Sequence, residues 1–389
     1  MEWISLNNIP IHFEYQDQQQ ARTFVFVNSL GTDFRIWDKV VEELKPYGNI
    51  LRFDKPGHGL SGLPDRDFQI KDYAEITVAL MDALQIKKAV YIGLSIGGVI
   101  GQYLGVHHPE RFEKLILSNT APKIGTLESW NTRIEKVQQE GIASIADMVM
   151  KVWFSEAFHQ ERPAELYGCR SMLTHSPLEG YLMACKAIRD NDLTQDIPKI
   201  ELPCLCIGGG ADGSTPPALV ESMAQAIPGA DFVLIPEAGH IPCVESPQRM
   251  ATVILDFVIY SEVKSLYEKG MLTRRAVLGD AHVDRAEANK TNFDRDFQEY
   301  ITNNAWGAIW SRPGLSKRER SMLTIAVLAT LGYEEELAMH FRATANTGAT
   351  LEDIKETLLH IAVYAGVPVS NSAIRIAKGV FGDKITTKS

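Results

Sequence analysis

Ala89-Val90-Tyr91-Ile92-Gly93-Leu94-Ser95-Ile96-Gly97-Gly98 reads as an apolar strand, a glycine-framed turn and the entry to a helix predicted over 99–107. That order of elements lifts a serine hydroxyl out of the chain on a sharp bend, and small neighbours are needed because the bend leaves little room beside the serine. Ser95 is therefore the candidate nucleophile. The strand and helix around it predict a parallel α/β sheet.

A serine hydroxyl is a weak nucleophile at its free pKa, so it needs a base to take its proton and a carboxylate to hold that base in one tautomer. Both occur later in the chain, each on a loop directly after an apolar strand. Asp212 lies in GGGADGSTPP (208–217) after a strand at 204–207, and His240 ends EAGH (237–240) after a strand at 232–235. Loops at the C-terminal ends of strands are where an open α/β sheet gathers its chemistry. Taken singly, Asp212 reads as a loop cap and His240 as a surface histidine. In the order Ser, Asp, His they read as a catalytic set. Two backbone amides should face the developing oxyanion: that of Ile96, after the nucleophile, and that of Leu30, in NSLGTD (28–33) after a strand at 23–27.

The segment DKPGHGLS (54–61) follows a strand at 50–53 and resembles the DxxGxGxS turn of α/β-hydrolases. His58 within it reads either as part of that turn or as a second catalytic histidine, and its glycine neighbours favour the turn. Strand and helix signals alternate to about residue 118, stop, and resume at 202. Between them the pattern is helical, as at 129–139, 142–154 and 178–189, which predicts a helical cap over about 121–192, set between two sheet strands. Trp130, Arg133 and Trp153 stand out in the cap. They read equally as packing with one solvated arginine, or as a binding surface in which Arg133 clamps a substrate carboxylate.

A helix at 250–260 closes this domain and 261–270 reads as a junction. No strand pattern follows; instead helices are expected at 293–309, 316–331, 334–347, 351–365 and 371–380, an all-α second domain. Ser316 with Glu319 forms a capping box, and Thr350 opens a helix carrying Glu352 and Asp353 in its first turn. Glu336 and His340 share one helical face, which fits either an imidazole oriented by a carboxylate or a solvated charge run beside one amphipathic histidine.

Composition bounds the function. The 389 residues are 45% hydrophobic and 23% charged, as in a core-forming globular chain, and the net charge of −10 argues against a nucleic-acid partner. No 18-residue apolar run and no secretory leader is read in the sequence, so no membrane partner is expected and the protein is expected in the cytoplasm. Five cysteines without metal-ligand spacing read as reduced core thiols.

The first ~260 residues resemble a 3-oxoadipate enol-lactonase of the α/β-hydrolase family. The matching text is NSLGTD at 28–33, GLSIGG at 93–98, the stretch from Trp130 to Arg133, DGSTPP at 212–217 and AGH at 238–240. The remainder resembles a 4-carboxymuconolactone decarboxylase, through GDAHVDRA at 279–286, AWGAIWSRPGLSKRERS at 305–321, EEELAMHFRA at 334–343 and HIAVYAGVP at 360–368. The resemblance implies an α/β-hydrolase domain over 1–262 and an all-α decarboxylase domain over 263–389, performing consecutive steps of protocatechuate breakdown. It implies His340 as proton carrier, Glu336 or Glu335 as its orienting carboxylate, and Arg320, His282 and Arg285 as ligands for substrate carboxylates. It further implies small anionic lactones as substrates, no metal or organic cofactor because the lactone ring is the electron sink, and a homo-oligomer assembled through the helical domain. The competing reading is a serine carboxylesterase carried on a non-catalytic oligomerisation module.

Overall fold

A computed structural model describes residues 2–259, 265–312 and 314–382. Contacts divide the chain into two units between Val258 and Ile259. The sequence-based boundary at 262/263, the last residue of the 250–260 helix and residues 261–264 of the junction lie outside the described residues, and the rest of the junction opens a helix at Leu266.

The first unit is built on an eight-stranded sheet of order β1-β2-β4-β3-β5-β6-β7-β8. The strands are β1 (Glu2–Leu6), β2 (Ile9–Gln16), β3 (Thr23–Val27), β4 (Asn49–Phe53), β5 (Ala89–Leu94), β6 (Phe112–Ser118), β7 (Cys204–Gly209) and β8 (Asp231–Ile235). β1 and β2 pair antiparallel and β2 joins β4 antiparallel, while every pairing from β4 to β8 is parallel. Strands β3, β4, β5 and β7 are buried along their whole length, as expected of parallel strands covered on both faces, and they read as apolar runs rather than alternating ones.

Between β6 and β7 the chain leaves the sheet for five helices, Leu127–Glu140, Ala146–Trp153, Glu156–Glu161, Pro163–Thr174 and Leu178–Arg189. Thr126 and Ser129 cap the first reciprocally, and Pro163 starts the fourth at the position where a missing N–H costs nothing. The single helix read over 142–154 is instead a short 3-10 turn over Ile142–Ile145 followed by Ala146–Trp153. All five cysteines belong to this unit and are buried and unpaired.

The second unit is helical throughout its described residues. Its core joins Ile325, Leu337, Phe341, Ile354, Leu358 and Ile361 with Ala329, Ala373 and Ala377. The boxes at Ser316 with Glu319 and at Thr350 with Asp353 start the helices Lys317–Leu331 and Leu351–Tyr364. Two departures from the sequence reading matter. The helices Leu266–Leu278 and Asp280–Ala288 precede the first one expected, in text whose charged residues hide the apolar stripe. The helix read over 293–309 is instead an α-helix, Arg295–Ile301, that widens into a π-helix over Thr302–Trp310. The wider turn brings Trp306 and Trp310 within 5.2 Å of one another.

Helix Leu266–Leu278 meets the π-helix backbone to backbone at Gly270, where an added Cβ would lie 2.0 Å from the Thr302 carbonyl oxygen. Backbone cannot yield as a flexible side chain does. Gly270→Ala should therefore cost about 1–3 kcal/mol and lower the thermal midpoint of the helical unit, followed by circular dichroism. An unchanged midpoint would mean that these two helices do not pack this closely.

Candidate active site

β5 ends at Leu94 and the helix Ile96–His107 begins one residue later, so Ser95 alone makes the turn, at φ 58° and ψ −117°. A non-glycine residue holds that backbone only when its surroundings enforce it. Here the Ser95 amide donates to the Ser118 carbonyl (3.0 Å) and Thr120 Oγ1 donates to the Ser95 carbonyl (2.8 Å). On the other side Gly97 packs on the end of β3, where a Cβ would meet the carbonyl oxygens of Val27 and Asn28 at 2.3 and 3.2 Å. This close approach puts the 28–33 loop beside the serine. The Leu30 and Ile96 amides make no hydrogen bond among the described residues.

The segment that braces Ser95 also builds the acid–base pair. Asn119, in the left-handed region at φ 47°, donates through Nδ2 to Asp212 Oδ2 (2.9 Å) and to the Gly239 carbonyl (3.1 Å). Asp212 Oδ1 accepts from the amides of Ser214 (2.7 Å) and Thr215 (3.0 Å), and Oδ2 accepts from Thr215 Oγ1 (2.7 Å). His240 Nδ1 lies 2.9 Å from the same Oδ2. Burial pushes the Asp212 carboxyl up, but the His240 charge and the bonds from His240, Asn119 and Thr215 outweigh it and hold the carboxyl below its ordinary value. The result is a buried carboxylate, kept ionised, against a buried imidazole.

The cap meets this pair at Trp153. Its carbonyl accepts from the His240 amide (2.7 Å) and its ring stacks near the imidazole at 6.4 Å. Trp130 is anchored through Nε1 to the Ile124 carbonyl (2.6 Å), and the Arg133 guanidinium lies 5.0 Å from its ring centre. Arg133 also reaches the hydroxyl of Tyr181, whose ring packs 3.1 Å from where a Cβ on Gly31 would stand. No carboxylate among the described residues pairs with Arg133. Its guanidinium is half-buried near the 28–33 loop. His58 is buried within its turn, its amide bonded to the Lys55 carbonyl (2.9 Å) and its Nδ1 3.4 Å from the Pro56 carbonyl; burial and the Lys55 charge drive its pKa well down.

In the helical unit His340 is buried, with Trp310 stacked near it at 6.0 Å and its Nδ1 without a protein partner. Burial, then the nearby His282 charge, pull its pKa down to about 4, and Glu336 pulls the other way. His282 is lowered in turn by burial and by Arg274, Arg285 and Arg342. The structure therefore gathers His340, Glu336, His282 and Arg285. Arg320 is half-buried with its Nε unpartnered; burial first, then Arg312, lowers its pKa, and its Nη2 donates to the Arg312 carbonyl (3.1 Å). Of the three consecutive glutamates, Glu334 is engaged with Arg375 (3.1 Å), Glu335 has no ion pair among the described residues, and Glu336 is the carboxylate that acts on His340.

Sequence reading passed over Asn119, Thr215, Arg274 and Trp310. Asn119 carries a signal, since Ser118-Asn119-Thr120 is a polar triplet directly after an apolar strand. Arg274 carries none; only the packed helices bury it, with Nε and Nη1 left without partners and Glu287 3.7 Å away.

Comparison with known proteins agrees with this geometry in both halves. Residues 22–247 match the alpha/beta hydrolase fold family and residues 295–379 the carboxymuconolactone decarboxylase family. The chain is 31% identical over 245 residues to 3-oxoadipate enol-lactonase 2 of Acinetobacter baylyi, covering 63% of this chain and 91% of that one. It is 50% identical over 117 residues to the 4-carboxymuconolactone decarboxylase of the same organism, covering 30% and 87%. The crystal structure of the enol-lactonase from Burkholderia xenovorans superposes with a TM-score of 0.64 at 34% identity, over 66% of this chain and 99% of that one. The chain belongs to the alpha/beta hydrolase fold family in its enol-lactonase branch, fused on one polypeptide to a member of the carboxymuconolactone decarboxylase family.

Proposed function

We propose that this protein catalyses two consecutive steps of protocatechuate breakdown. The helical unit decarboxylates 4-carboxymuconolactone to 3-oxoadipate enol-lactone, and the α/β-hydrolase unit hydrolyses that product to 3-oxoadipate. The observation that carries the reading is one chain holding both an Asp212–His240 pair tied through segment 118–120 to a strained Ser95 and a buried His340 next to Glu336 and His282, each in a half similar to a relative that bears the matching name.

In the lactonase step Ser95 Oγ attacks the ring carbonyl while His240 takes its proton, and the Leu30 and Ile96 amides face the oxyanion. The enolate leaves readily because its charge is delocalised, and it ketonises on protonation. Water activated by His240 then releases the acyl group. Asp212, fixed by four further donors, holds His240 in the tautomer this requires. Trp130, Arg133 and Trp153 form the binding wall, with Arg133 on the side-chain carboxylate of the substrate.

In the decarboxylase step the carboxylate on the γ-carbon leaves as CO2, its electron pair enters the unsaturated lactone as a dienolate, and the α-carbon takes up a proton. His340 is held neutral by burial and the His282 charge. A dianionic substrate arriving beside it favours the imidazolium, so binding loads the proton that the α-carbon needs. Glu336 orients this histidine, and His282, Arg285 and the buried Arg274 receive the carboxylates.

Assembly of copies through the helical unit fits its exposed apolar side chains, among them Phe293, Val363 and Tyr364. No helix among the described residues is long and apolar enough to cross a membrane, and five unpaired cysteines fit a reducing cytoplasm.

Ser95→Ala should cut enol-lactone hydrolysis by about 10⁴-fold or more and spare CO2 release, while His340→Ala should do the reverse. CO2 release is followed with 4-carboxymuconolactone and hydrolysis with 3-oxoadipate enol-lactone supplied directly, each on the purified protein. Loss of both activities from either change, in a folded protein, would sink the two-site assignment. Arg133→Ala should raise KM for the enol-lactone about 10- to 100-fold and leave hydrolysis of a neutral ester unaffected; an equal effect on both substrates would remove Arg133 from the carboxylate.

By NMR, His340 in the free protein should titrate at about 4 and move upward when a non-reacting dicarboxylate binds. A midpoint near the ordinary histidine value of about 6.5, unmoved by the dicarboxylate, would rule out proton loading. The sign for stability follows. Because the folded value lies below the unfolded one, the unfolded chain binds the proton first, so the helical unit loses stability as pH falls from about 6.5 towards 4.

A further inference from the structure

Lys55 is the one lysine among the largest fully buried side chains of the hydrolase unit, and the lactonase mechanism makes no use of it. No carboxylate oxygen among the described residues lies within salt-bridge distance of its ammonium. Nζ instead donates to two backbone carbonyls, those of Asn28 (3.2 Å) and Ser29 (2.9 Å). Burial drags the Lys55 pKa down to about 7 against the pull of Asp54 and Asp33. Those two carboxylates and the buried His58 are the titratable groups that feel its charge. Methionine would occupy similar space without that desolvation cost, so the ammonium is retained for what it holds.

What it holds is the peptide unit next to the nucleophile. The Ser29 carbonyl and the Leu30 amide belong to one trans peptide, in which C=O and N–H point in opposite directions. A donor clamped on the Ser29 oxygen therefore turns the Leu30 N–H the other way. Thr32 Oγ1 donates to the same oxygen at 3.0 Å, and Asn28 Nδ2 donates to Thr32 Oγ1 at 3.1 Å, so the carbonyl is held from two sides. The adjoining Val27 and Asn28 carbonyls abut Gly97, which fixes the loop against the Ser95 turn. The Leu30 amide, with no partner of its own, is left facing away from the lysine.

We propose that Lys55 is a positioning residue of the lactonase site, setting and polarising the Ser29–Leu30 peptide so that the Leu30 amide meets the oxyanion formed at Ser95. The inference rests on the lactonase reading of the hydrolase unit. It differs from binding of the substrate itself, because the oxyanion exists only after attack. Hydrogen bonds in series also strengthen one another, so a cation on the carbonyl makes the amide of the same peptide a better donor.

The test uses the full-length protein. Lys55→Met should lower kcat for enol-lactone hydrolysis about 10- to 100-fold with KM changed less than about threefold. Affinity for a boronic acid that forms a tetrahedral adduct on Ser95 should fall by a similar factor. CO2 release by the helical unit and the thermal midpoint should stay as in the wild type. Wild-type kcat and boronate affinity, or a loss confined to KM, would overturn the proposal. If Lys55→Met does not fold, Thr32→Val decides, since it removes the other donor to the Ser29 carbonyl at nearly constant volume. A several-fold loss in kcat and boronate affinity there supports positioning, and wild-type values refute it. Ser95→Ala separates the two levels. If that variant still hydrolyses the lactone, the lactonase reading itself has failed; if it is inactive while Lys55→Met is fully active, only the positioning role has.

Discussion

The hydrolase unit depends on one strained backbone position. At φ 58° Ser95 sits where a side chain is poorly tolerated, and the strain persists only because the neighbouring segments leave it no alternative. Segment 118–120 holds the serine's amide and carbonyl, and the end of β3 closes on Gly97. The same two neighbours reach further: residue 119 donates to Asp212, and the loop after β3 lies against the Ser95 turn at Gly97. On the proposed function, a turn fixed for steric reasons also fixes the geometry on which acyl transfer depends.

The two sites handle charge in opposite ways. In the hydrolase unit a carboxylate is buried, and five hydrogen-bonding groups converge on Asp212 so that it stays ionised despite desolvation. In the helical unit a histidine is buried with its Nδ1 unpartnered, and burial first, then the His282 charge, keeps it neutral. The first arrangement is complete before substrate arrives, as suits a base that must be oriented. The second leaves the imidazole neutral, and on the proposed function an anionic substrate supplies the counter-charge. On that reading each half has electrostatics matched to its step: stabilising a transient oxyanion in one, delivering a proton to a carbon in the other.

Much of the hydrolase unit was legible because its chemistry is written in local text. The serine, aspartate and histidine each follow an apolar strand, and buried parallel strands announce themselves as short apolar runs flanked by glycine. The cap was legible as an interruption of that rhythm. Asn119 was overlooked because its role arises from reaching across from β6 to the loops after β7 and β8. The helical unit was read less well. Its first two helices carry mixed charge that masks their buried stripe, and a π-helix has no period distinct enough to separate it from an α-helix in a window of nine residues. Arg320, chosen from motif text, feels the charges of Arg312 and Glu319.

Sequence alone determined the class of each half and singled out Ser95, Asp212, His240 and His340 as candidates, because each is encoded by residues adjacent to a strand end or spaced along one helix. Tertiary structure decided which glutamate acts on His340, where Arg133 lies relative to the 28–33 loop, and that Lys55 grips the Ser29 carbonyl. Those are contacts between segments tens of residues apart. Burial and packing fix their geometry and strength, and no local pattern of side chains carries that information.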